Sequence, residues 1–122
     1  MEKWIYFVGV IAITAIDFPA AANAQGYGLG TRSCAEFAKS YASNPAVTEE
    51  FYFTWAQGFT SGVNASTWAE TGTYRDIKGT LADMAAQKLR IRSYCNSHPL
   101  AQYPMAIMDL FNSLPIKKEN SN

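Results

Sequence analysis

The residues with the most obvious chemistry in this chain are its two cysteines, Cys34 and Cys95, and its single histidine, His98. Two thiols in a chain bound for an oxidising compartment are expected to form one disulfide. Across a loop of this length it would add about 4 kcal/mol in the chain-entropy treatment. His98 precedes Pro99 at a helix end, where a lone imidazole usually does no more than cap or meet solvent. An acid–base role would need a carboxylate beside it, and Asp83 and Asp109 are the candidates. Asp76 and Asp83, seven apart, share a helix face, a spacing that reads as a solvated surface rather than a glycosidase pair. The chain lacks Cys-x-x-Cys, His-x-x-x-His, Cys-x-x-Cys-His, a phosphate-binding glycine loop and a Gly-x-Ser-x-Gly elbow, so neither metal, cofactor nor catalytic residue is assigned. A small hydrolase working through His98 is the alternative from a different functional class.

The start of the chain supplies the compartment. Lys3 and the amino terminus precede an apolar run, Ile5–Ile16, which Asp17 ends; Ala22-Asn23-Ala24 follows. This is the pattern of a signal peptide over residues 1–24, cleaved between Ala24 and Gln25. The run is well short of the roughly 20 apolar residues that span a bilayer. A periplasmic or secreted protein with no stable membrane insertion after cleavage is therefore expected. The whole chain carries ten basic and ten acidic residues. Losing Lys3 from the first set and Glu2 and Asp17 from the second leaves a mature charge of +1, which argues against a nucleic-acid partner.

The elements that must position these residues all read as helices. Gly26, Gly28 and Gly30 mark residues 25–31 as a flexible leader. Ser33-x-x-Glu36 is a capping box, and Cys34, Phe37, Ala38 and Tyr41 follow at helical spacing until Asn44-Pro45 ends the first helix. A second helix starts near Thr48, with Phe51, Trp55 and Phe59 as its core stripe and Tyr52 and Phe53 facing away. Gly58-x-x-x-Gly62 on this helix invites close helix packing, or else a self-association face. Asn64–Ser66 frays its end and matches a glycosylation sequon. Ala69–Tyr74 is read as a loop.

A third helix runs from Asp76 or Thr80 to Asn96, with Lys88 interrupting its apolar stripe as a snorkelling side chain. A fourth carries Leu100, Tyr103, Ile107, Leu110 and Leu114, with Pro104 in its first turn. No stretch alternates with period two, so no sheet is expected. The expected architecture is an all-α, four-helix bundle over residues 32–115, closed by Cys34–Cys95 and followed by a disordered tail, 116–122.

Three stretches together have a familiar arrangement. They are Ser33-Cys34-Ala35-Glu36-Phe37, then Trp55-Ala56-Gln57-Gly58-Phe59-Thr60-Ser61-Gly62, then Tyr94-Cys95-Asn96-Ser97-His98-Pro99. The chain from Cys34 to about Leu114 resembles the small one-disulfide helical proteins of the periplasm, around the HdeA-type acid-stress chaperones and the Tai-type immunity proteins of type VI secretion. It departs from both: HdeA-type proteins are shorter and driven by titrating carboxylates, and Tai-type proteins often carry a further cysteine pair. The resemblance implies a non-catalytic protein that binds an unknown protein partner and is a candidate homodimer. A structural envelope protein is the runner-up. Trp68, Tyr74 and Arg75, beyond the core stripe, are the candidate partner contacts.

Overall fold

The computed structural model describes residues 26–118; the expected signal peptide and its Ala24–Gln25 cleavage site lie outside them. Four helices follow one another: α1 (Cys34–Ser43), α2 (Pro45–Thr71), α3 (Leu81–Ser97) and α4 (Tyr103–Ser113). Two three-residue strands accompany them, β1 (Thr73–Arg75) and β2 (Ile116–Lys118), paired antiparallel with Tyr74 opposite Lys117. The fold is thus mostly helical and carries a small ladder that sequence periodicity did not foresee. Three residues are too few to show alternation, and Ile116–Lys118, expected in the disordered tail, is ordered by pairing across the molecule.

Local chemistry fixes the helix ends. Ser33 caps α1: its Oγ accepts from Glu36 N, and the Glu36 carboxylate accepts from Ser33 N at 2.9 Å. The next free N–H groups of α1 donate to the α3–α4 connection, Cys34 to Ala101 O at 2.8 Å and Ala35 to Pro99 O at 3.0 Å. Asn44 ends α1 and begins α2, its Oδ1 accepting from Val47 N, with Pro45 as the first helical residue. Thr80 and Asp83 form a second capping box that places the start of α3. Pro104 sits in the first turn of α4, as its ring requires. Leu100, assigned to that helix on spacing, instead lies in the preceding turn and is almost fully exposed.

The core joins all four helices. Phe37, Tyr52 and Tyr103 form a triangle of rings with centroids 4.9–5.1 Å apart, flanked by Phe53, Ala56, Ile91, Ala106, Ile107 and Leu110. Helix α2 is therefore rotated from the expected stripe. Tyr52 and Phe53 are buried, whereas Phe51 is 64% exposed. Two aromatic stripes run side by side on this helix, and α1 and α4 cover the one that continues through Thr48, Ala56 and Thr60. Trp55 and Phe59 stack at 5.4 Å on the flank, half-buried.

The glycine-rich leader covers that flank rather than hanging free. Leu29–Thr31 makes a 3-10 turn, Tyr27 O accepts from Trp55 Nε1 at 3.2 Å, and Gly30 lies flat on the indole. Lys88, the misfit in the α3 stripe, snorkels over the Phe53 ring at 5.1 Å to reach Glu50.

Candidate functional site

The disulfide expected from the cysteine count is formed. Cys34 and Cys95 are both buried and bonded, tying the first turn of α1 to the last of α3. Among the described residues no three acids, histidines or cysteines converge as metal ligands, and no helix is long and apolar enough to cross a membrane.

The histidine and the acids weighed for chemistry are engaged apart from one another. His98 stacks on Tyr94 with centroids 4.3 Å apart, its Nδ1 3.0 Å from Tyr94 O. Asp109 accepts from Arg90 at 2.9 Å. Asp83 holds Thr80 in its capping box, and these hydrogen bonds lower its pKa below the ordinary value. Glu36 is lowered in the same way by Ser33, with Arg32 adding a smaller pull. Asp76 precedes α3, so it shares no helix face with Asp83.

The three residues expected at a partner surface meet where α2 ends. The helix runs through Thr71, longer than expected, because Gly72 takes the left-handed conformation (φ 66°) that stops it and donates its N–H to Trp68 O. The chain then enters β1. Its Arg75 backbone is held by the Asn64 side chain, which accepts from Arg75 N at 2.8 Å and donates to Arg75 O at 2.7 Å. The Arg75 guanidinium turns inward. It donates to Asn112 O and Leu114 O at the end of α4 and lies over the Phe111 ring. Arg75 therefore joins β1 to α4 and is only partly exposed.

Trp68 and Tyr74 do reach the surface, 49% and 38% exposed. With Asn64 and Ala65 they line an open hollow of about 400 Å³. Lys117, exposed, is the cross-strand neighbour of Tyr74.

A second hollow, about 390 Å³, opens between the start of α3 and the end of α4. Leu110, Leu114 and Pro115 form its apolar wall, and Asp76, Lys78 and Asp83 its polar rim. Gln87, almost fully buried, contributes to the wall. Sequence reading singled out neither Asn64 as a strand clamp nor Gln87. Asn64 acts across a turn, where no spacing rule connects it to Arg75.

No family model, curated protein or solved structure matches this chain.

Proposed function

We propose that this protein is exported and acts without chemistry of its own, by binding another protein through the surface around Trp68 and Tyr74. The observation that carries this is the pair of partly exposed aromatic side chains at the end of a 27-residue helix. Gly72, Asn64 and the β1–β2 ladder fix the backbone beneath them, so little conformational freedom is lost on binding. Tryptophan and tyrosine are the side chains that dominate interface energetics. Lys117, cross-strand from Tyr74, favours a partner segment with an acidic group.

Of the two kinds of binder implied by resemblance, the immunity type fits this surface better than the acid-operated chaperone. Glu36 and Asp83 are committed to helix caps, and Glu49, Glu50 and Asp109 to ion pairs. Export rests on the Ile5–Ile16 run, Ala22-Asn23-Ala24 and a disulfide that suits an oxidising compartment. Intact mass of the protein recovered from the periplasm is expected to correspond to a chain starting at Gln25; a species retaining Met1–Ala24 would contradict it.

The test of binding compares tagged wild type with Trp68→Ala and Tyr74→Ala as bait for envelope and secreted fractions. A partner held by wild type should be lost from both variants while their melting temperatures stay within about 3 °C of wild type. A partner retained equally by all three baits would overturn the assignment of this surface.

A further inference from the structure

Gly58 and Gly62 do not serve the packing inside the monomer that their spacing suggests. Among the described residues, a Cβ built at either position meets nothing within 4 Å. Both lie on the face of α2 turned away from the core. At about 100° per residue, Val47, Phe51, Thr54, Gly58, Gly62, Ala65 and Ala69 share that face, opposite the buried Tyr52–Ala56–Thr60 side. All seven are exposed, Phe51 at 64% and Val47 at 48%. No residue from Phe51 to Ala69 carries a charge. An exposed helical face of this length normally carries charged side chains, and a bare one marks a contact surface.

The order of side-chain sizes identifies what covers it. The face runs from large to small, with Gly58 at its midpoint. A second copy laid antiparallel about a two-fold axis at Gly58 sets Val47 against Ala69, Phe51 against Ala65, Thr54 against Gly62, and Gly58 against itself. Every large side chain then meets a small one, and the backbones approach closest where no side chain stands. A parallel copy would stack Phe51 on Phe51 and leave the small half unfilled. We propose that this face of α2 is the interface of an antiparallel homodimer centred on Gly58.

Charge and area agree with this occupant. The strip offers no cation to nucleic acid or anionic lipid and no like charge to its own copy, and antiparallel helices bring opposite dipole ends together. A strip about 33 Å long and about 10 Å wide covers about 330 Å² on each copy and about 660 Å² over both, the range of a weak, transient contact rather than of a permanent dimer. The dimer is accordingly weak and reversible, so it should form only as concentration rises. Trp68 lies about 80° round the helix from Gly58 and stands outside the dimer face, although the two surfaces meet at Ala65, which also lines the Trp68–Tyr74 hollow.

Sedimentation equilibrium on the mature protein with its disulfide intact tests this. Wild type should pass from monomer to dimer as concentration rises. Gly58→Leu, which has open space in the monomer, should raise the dissociation constant at least about a hundredfold with the dilute melting temperature unchanged or higher. Trp68→Ala should leave the constant where it is. Under mild oxidation Thr54→Cys/Gly62→Cys should form a covalent dimer. Thr54→Cys alone should not, because its two copies would stand about 12 Å apart along the axis. A monomer at every concentration, a dimer indifferent to Gly58→Leu, or cross-linking by Thr54→Cys alone would each overturn the proposal. A dimer that captures no partner would count against the Trp68–Tyr74 surface and leave this interface standing.

Discussion

Asn64 shows how much a single side chain can organise here. Its amide meets both backbone groups of Arg75 and so acts as a third strand beside β1. Replacing it with alanine leaves a donor and an acceptor without partners. Asn64→Ala should cost about 1–2 kcal/mol and lower the melting temperature by roughly 4–16 °C. Asn64→Asp keeps the acceptor but cannot donate, so it should fall between the two; an unchanged melt would mean the clamp is idle. In the sequence Asn64 reads as a fraying helix end, because the backbone it holds lies beyond a turn that only Gly72 permits. Arg75 was legible as an arginine beside aromatics but not as one that faces inward, since its carbonyl partners come from α4. Tyr103 offers a second test. Burial, with smaller contributions from Tyr52 and Glu49, pushes its phenol above the ordinary value of 10. A raised folded pKa favours the folded state below the unfolded value and loses that advantage as pH climbs. Stability should therefore decline as pH rises past 10, and Tyr103→Phe should flatten that limb of a melting-temperature profile.

At the scale of elements, short-range signals were legible and long-range ones were not. The Ser33–Glu36 box placed the start of α1, and Asn44–Pro45 divided α1 from α2, because capping depends on residues within one turn. The rotation of α2 was hidden, since Phe51 and Tyr52 are equally good core residues until α1 and α4 choose a side. The ladder was hidden because β1 and β2 are too short to show a period and lie far apart in sequence. The leader was misread for a related reason: glycine signals freedom, yet Gly30 is small because it lies on Trp55. A Cβ there would stand within the indole, so Gly30→Ala should lift residues 27–31 from α2 and expose Trp55, read as a red shift in its fluorescence. The caps also set an acid limit. Glu36 and Asp83 have pKa values lowered by hydrogen bonds to their cap residues, so their contribution is complete above the ordinary 4.5 and 3.8 and is lost as pH falls below them. Melting temperature should drop through that window. Thr80→Ala should remove part of the drop and about 1 kcal/mol of stability at neutral pH.

For the molecule as a whole, the helical class and the disulfide were both legible, since four amphipathic stretches and two cysteines leave few compact solutions. Reduction of Cys34–Cys95, with a sequence separation of 61 residues, should lower stability by about 4 kcal/mol; equal melts with and without reductant would show the bond to be irrelevant. The bond also partitions the chain under load. It closes a ring containing α1, α2, β1 and all but the last two residues of α3, while α4 and β2 lie outside and are held by contacts alone. Tension applied between the two ends bypasses the ring and draws first on the leader at one end and, at the other, on β2 and α4, which supplies Tyr103, Ala106, Ile107 and Leu110 to the core. A protein stretched in this way should yield early and then stop short. Its full extension should come about 200 Å later, at 3.3–3.6 Å for each residue released, and only once a reductant has cut the ring.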